Sequence, residues 1–293
     1  MRFFAFAQDG AQRNLIIKII EKGSSEYEIN RSILEQQSTS SEKAAFPLLV
    51  MPMWGPYVHL TRMRRLREVV QFIKSTLRDI CDQNVVVNCH SPGATLEEFA
   101  EILDEHRQAD DVTYAFIDFG QSLQLPLDTS ITDCRRPGDE TGIARNHFKP
   151  PDGHLGEPYY NPFSYDVAAL GFLFRCYFSE AVPALPCLAA LFDRMTDYCP
   201  SRRMTAQQAL EWFEDIIIQL PQGCLEARVM LDRSFEAMRD EGLYWTELST
   251  EDQAKWGQYR TPPRPLWMRL LGFMSRNTLG FRILCFLRGH LQI

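Results

Sequence analysis

The stretch Thr113-Tyr114-Ala115-Phe116-Ile117-Asp118-Phe119-Gly120 is an apolar, aromatic-rich run that stops at a carboxylate and a glycine. Its length and composition predict a buried strand that delivers Asp118 to its end. Just upstream, Asn84-Val85-Val86-Val87-Asn88-Cys89 predicts a second short strand, followed by a Pro92-Gly93 loop and a polar helical segment around 96–106. Downstream, 126–162 is rich in Pro, Gly, Asp and Arg with no periodicity, so it reads as a long surface loop of the kind that is usually functional or disordered.

Toward the amino terminus, 2–7 and 14–20 are apolar and flank Asp9-Gly10, a strong turn signal. They predict a β-hairpin with Lys18 on its second strand. After Gly23, residues Tyr27, Ile29, Ile33 and Leu34 recur at helical spacing, with Glu26 and Glu28 in the first turn where the helix dipole favours them. Phe46 to Gly55 reads as a buried strand entering a Pro/Gly-marked connector. An amphipathic helix is expected over 66–82, preceded by a basic run of Arg62, Arg64, Arg65 and Arg67 that fits a solvated helix face better than a phosphate site.

Further on, 166–177 and 183–196 predict strongly apolar helices. Thr205 is placed as the N-cap of another, with Gln208 at capping-box spacing, and an amphipathic helix is expected over 222–239. The net charge of −7 argues against nucleic-acid binding, which needs a basic surface. Eight scattered cysteines without a C-x-x-C pair predict a reduced intracellular setting, cytoplasmic or nuclear. No apolar run has the length of a membrane span or the layout of a signal peptide.

A lone Asp-Phe-Gly would arise by chance in roughly one chain in twenty or thirty of this length, so its ordered companions carry the weight. Leu15-Ile16-Ile17-Lys18 resembles the protein-kinase strand that bears the phosphate-contacting lysine, with Glu26 or Glu28 as its helix carboxylate. Leu48 to Trp54 resembles the hinge beside an adenine pocket, and Asp118-Phe119-Gly120 resembles the motif whose aspartate, here Asp118, binds the metal. Glu157-Pro158 looks like a variant of the Pro-Glu closing an activation segment. Asp166 on an apolar helix looks like the aspartate that anchors the catalytic loop, and Arg203 in Pro200 to Ala206 looks like the arginine that pairs with that glutamate. Singly, each has a plainer reading: an edge-strand lysine, a turn aspartate, a helix cap. Six in register, over about residues 3–217, resemble the protein-kinase-like superfamily, and the wording of 50–55 and 160–167 resembles its divergent basidiomycete members.

The resemblance implies an α+β, two-lobed fold. A truncated amino-terminal lobe and hinge of few antiparallel strands and one helix would span 1–55, and a mainly helical lobe 56–217. A helical extension with a Pro-rich break would follow over 218–265. It also implies ATP and Mg2+ as cofactors, through Lys18, Glu26 and Asp118. The chain departs from the pattern where chemistry is done. Val87, Asn88 and Cys89 stand in the His-Arg-Asp positions, and Ala94 stands where the second metal-binding asparagine is expected. There is no G-x-G-x-x-G. Without a base, phosphoryl transfer retains only positioning and electrostatics, so a pseudokinase scaffold acting on a protein partner, with weak or absent nucleotide binding, is expected. The alternative is an active divergent Ser/Thr kinase using a substitute carboxylate such as Asp82, Glu97 or Glu98.

The tail, 266–293, stands apart. It carries Arg269, Arg276, Arg282 and Arg288 and no acidic residue, interleaved with Leu266, Trp267, Leu270, Phe273, Phe281 and Phe286. Such a segment either lies on a membrane surface or packs on the large lobe. Gly272, Gly280 and Gly289 speak against one long helix.

Overall fold

The computed structural model describes residues 4–8, 14–36, 48–52, 54, 60–78, 85–89, 94–116, 122–123, 125–126, 128–138, 148, 150, 155, 157–240, 242–275 and 277–291. These build an α+β protein, mostly helical, with small antiparallel sheets. The chain divides into two compact units, Met1–Val58 with Asn84–Thr129, and His59–Gln83 with Ser130–Ile293. The sequence reading runs in contiguous blocks, whereas each compact unit draws on two separated stretches.

In the first unit, β1 (Phe4–Gln8), β2 (Asn14–Ile19) and β3 (Leu48–Pro52) form an antiparallel sheet in the order β1-β2-β3. The Asp9-Gly10 turn lies outside the described residues. Gly23, at φ 83°, takes the left-handed bend that leads β2 into α1 (Ser25–Gln36), a conformation costly for any residue with a Cβ. Ser24 opens that helix, its Oγ accepting from the Tyr27 amide at 3.2 Å. Strands β4 (Val85–Val87) and β5 (Tyr114–Phe116) pair antiparallel, with Val87 opposite Tyr114. Between them, α3 (Leu96–Gln108) starts at a full capping box of Thr95 and Glu98, and these Thr95 hydrogen bonds hold the Glu98 carboxyl below its ordinary range.

The second unit holds the main helical core. Helix α2 (Leu66–Arg78) buries Leu66, Val69, Phe72, Ile73 and Leu77 on one face and packs against α6 (Ala206–Ile218). Each of those side chains contributes about 1.5–3 kcal/mol on leaving water. Helix α4 (Pro162–Phe178), capped by Asn161, is buried on nearly every side and packs most extensively on α5 (Cys187–Thr196). Gly171 permits that crossing, since a Cβ there would stand 2.7 Å from the Thr196 methyl and 2.8 Å from Met195 Cβ. A two-residue ladder, β6 (Arg136–Pro137) with β7 (Tyr159–Tyr160), precedes α4.

Beyond α6 the expected helix over 222–239 is not formed. Arg228 instead bridges to Arg65, the Val229 amide donates to Arg64 O at 2.8 Å, and only α7 (Phe235–Arg239) is helical after the Cys224–Glu226 turn. Pairing with the stretch before α2 satisfies that backbone and buries Val229 and Leu231, which outweighs the helical periodicity. The basic run gains a partner from the same segment: Arg65 and Arg67 both donate to Glu226. Helices α8 (Leu243–Thr246) and α9 (Thr250–Trp256) follow. The tail forms a helical hairpin, α10 (Leu266–Met274) and α11 (Thr278–Leu291). No helix among the described residues is long and apolar enough to cross a membrane.

Candidate functional site

Lys18 sits on the middle strand of the first sheet, opposite Phe4 on one side and Leu49 on the other, and is only 4% exposed. A buried ammonium is tolerable only with a counter-charge. Glu26, from the first turn of α1, supplies it, accepting a hydrogen bond from Lys18 Nζ at Oε1. Of the two glutamates the sequence leaves open, Glu26 therefore makes the pair. Glu28 pairs with Arg31 at 2.8 Å, one turn along its own helix. The result is a buried ammonium held by a carboxylate, a donor of the kind that phosphate or carboxylate oxygens accept from.

The residues that the resemblance would set in catalytic-loop positions are engaged in packing and backbone hydrogen bonds. Val87 is buried in the β4–β5 pair. Asn88 ties that pair to the preceding turn: its Nδ2 donates to Asp111 O at 2.9 Å, its Oδ1 accepts from the Thr113 amide at 2.7 Å, and its own amide donates to Thr113 O at 3.0 Å. Cys89 is 2% exposed, and burial first, then the neighbouring Asp111 charge, pushes its thiol up, with Arg107 opposing. An engaged amide and a protonated thiol offer no proton acceptor. Ala94 is half-buried in the connector just before the Thr95 cap. Close by, His106 Nδ1 meets Asp111 Oδ1 at 2.8 Å, and Asp110 takes a left-handed φ of 59° to turn α3 back toward β5.

Asp118, Phe119 and Gly120 lie outside the described residues, as do Asp82 and residues 139–147 of the stretch read as a long surface loop. Among the described residues no three His, Cys, Asp or Glu side chains gather as a metal site. What the described residues offer here is a buried cation, Lys18, held by the carboxylate of Glu26.

In the second unit, Arg203 is buried and donates through Nε to Asp197 O at 2.7 Å and through Nη1 to Ser164 O at 3.1 Å, joining the first turn of α4 to the turn after α5. Glu157 accepts from Arg288 Nη1 of α11 at 2.7 Å, a tail contact the sequence reading did not foresee. Asp166 lies on the exposed side of α4. Sequence reasoning also missed Asp193, which is 2% exposed. Its carboxylate accepts from the Tyr244 hydroxyl, from Trp245 Nε1 at 3.2 Å and from the Thr261 amide at 2.6 Å. Burial raises its pKa to about 6, against the lowering effect of Tyr244, Thr261, Arg175 and Trp245. The cluster pins the carboxyl-terminal extension to α5.

Comparison of the chain with protein-family models, with curated proteins and with solved structures finds no match.

Proposed function

We propose that this chain is a catalytically impaired, protein-kinase-like scaffold: a pseudokinase whose buried lysine–glutamate pair survives and whose proton acceptor does not. The observation that carries the reading is the Lys18–Glu26 pair between the central strand and the helix that follows it. In protein kinases that pairing of strand lysine with helix glutamate positions the nucleotide phosphates. The order strand, strand, helix, strand around it is compatible with the truncated amino-terminal lobe that the resemblance implies, and supports the reading.

The same reading accounts for the second strand pair. Val87, Asn88 and Cys89 end β4, where the catalytic base of a kinase would follow its strand, and they are committed to burial and to backbone hydrogen bonds. ATP would be held, if weakly, by Lys18, with Asp118 as the magnesium ligand. A bound nucleotide would supply the phosphoryl group, and this chain's own residues would do no more than position it. Its biological output would then be binding of a protein partner.

The test is a thermal-shift titration with ATP, with and without magnesium, on the intact protein and on Lys18→Ala. Ligand that binds only the folded state raises the melting temperature by mass action. A magnesium-dependent rise that Lys18→Ala removes supports a nucleotide pocket, and no shift at millimolar ATP leaves a kinase-shaped binding module. Phosphoryl transfer that Asp118→Ala abolishes in a well-folded protein would overturn the impaired reading in favour of an active divergent Ser/Thr kinase.

A further inference from the structure

The tail hairpin presents two apolar stripes to solvent. On α10, Leu266, Leu270 and Phe273 recur at i, i+4 and i+7 and are 60–79% exposed. On α11, Leu279, Ile283 and Phe286 repeat the same spacing and are 43–71% exposed. Positions at that spacing share one face of a helix. The opposite side of α11 is the anchored one: Leu284 is 3% exposed and Arg288 pairs with Glu157. Helix α11 is therefore docked through one face and offers the other, while α10 buries none of its residues.

Its shape depends on Gly280. The Gly280 amide donates to Asn277 Oδ1 at 2.6 Å, and a Cβ would stand 2.1 Å from Met274 O, so α11 can start directly beneath the end of α10 only with glycine there. At roughly 200 Å² for a fully exposed large apolar residue, each stripe exposes about 350–400 Å², the size of the largest apolar patch of a typical monomer, which is often functional.

We infer that this hairpin is an interfacial anchor for an anionic lipid surface. Charge selects the occupant. The tail carries Arg269, Arg276, Arg282 and Arg288 and no acidic side chain, within a chain of net charge −7; Arg288 is paired with Glu157, which leaves the positive charge with the other three. Arg269 and Arg282 are exposed beside the two stripes, as a helix lying at a headgroup boundary requires. A second copy of the chain would bring the same positive charge against it. At about 1.5 Å per residue, α11 is about 21 Å long, short of the ~30 Å hydrocarbon core, so the hairpin lies on the surface. This inference stands apart from the nucleotide reading.

The experiment is co-sedimentation of the full chain with phosphatidylcholine vesicles, with and without phosphatidylserine, at low and high salt. Anionic vesicles should retain the protein, neutral ones should not, and salt should weaken retention. Arg269→Gln with Arg282→Gln should lower partitioning about 30-fold at low salt, at about 5-fold per basic residue. Leu270→Glu with Phe286→Glu should abolish retention while leaving the melting temperature unchanged, because both side chains are exposed. Equal retention on neutral lipid, or retention indifferent to the two glutamates, would overturn the inference. So would absence of retention together with a wild-type dimer that the glutamates dissociate in sedimentation velocity, which would make a second copy the occupant.

Discussion

Lys18→Met removes the ammonium and strands the carboxylate of Glu26, whose side chain is 12% exposed. Breaking a buried pair from one side costs about 3–5 kcal/mol. Two features of the structure pull the figure down: the carboxylate keeps a little water, and it sits in the first turn of α1, where the helix dipole returns about 0.5 kcal/mol. About 3 kcal/mol is therefore expected. Lys18→Met with Glu26→Leu removes both charges and should recover to within about 1 kcal/mol of the natural chain, because an apolar pair of similar volume replaces them. The readout is hydrogen exchange by mass spectrometry on the peptide covering β2, whose amides bond β1 and β3. A loss of 3 kcal/mol in local opening is about a 150-fold faster exchange for the single variant. Exchange within a few-fold of the natural chain in Lys18→Met, or a double variant no better than the single one, would refute the claim that this ion pair is a buried, mutually dependent unit.

Asp193 gives a pH signature. Its folded pKa of about 6 lies above the ordinary 3.8, so the folded state holds the extra proton between those values, and stability from this group is full below about pH 4 and lost as pH rises to 6. Relative to Asp193→Asn, urea melts of the natural chain should lose about 3 kcal/mol across that window, and parallel profiles would contradict it. Gly171→Ala drives a methyl into Thr196 and Met195 across the α4–α5 crossing, and should cost about 1–3 kcal/mol, read as a melting point lowered by roughly 5 °C. Iodoacetamide should label Cys199, Cys224 and Cys285, which are part-exposed, and spare Cys187, which is 1% exposed with its thiol pushed up to about 12, in native protein. Labelling of Cys187 without denaturant would show that α5 opens.

Local chemistry made much of the fold legible. The apolar, β-branched run at 14–20 places Lys18 on β2, the acidic start of α1 puts Glu26 within reach of it, and Thr205 with Gln208 sets the start of α6. What was not legible depends on partners far along the chain. Arg65 meets Glu226 across 161 positions and Asp193 meets Thr261 across 68, and no local periodicity announces either. The helix expected over 222–239 failed for the same reason, since Val229 and Leu231, two apart, also fit an extended segment laid against the stretch before α2. Of the site, the residue types were readable at Lys18, Glu26 and Cys89, but that Asn88 spends its amide on Asp111 and Thr113 is visible only in three dimensions.

Cys89→Asp places a carboxylate where the proposed kinase-like reading puts the catalytic base, and the packing around Cys89 argues that this single change confers no activity. The position is 2% exposed, the Asp111 charge already raises the thiol there, and Arg107 offsets it only in part. A carboxylate at that place would suffer both burial and like-charge repulsion, and so would take up a proton or force the β4 end open, at a cost of several kcal/mol. Moving it outward would require releasing Asn88 from Asp111 and Thr113, the bonds that hold β4 against β5. Cys89→Asp should therefore melt lower than the natural chain and show no gain in magnesium-ATP phosphotransfer. A gain that depended on Asp118 would mean that the segment can swing its residue toward substrate, and that activity hinges on one side chain rather than on how the whole strand end is packed.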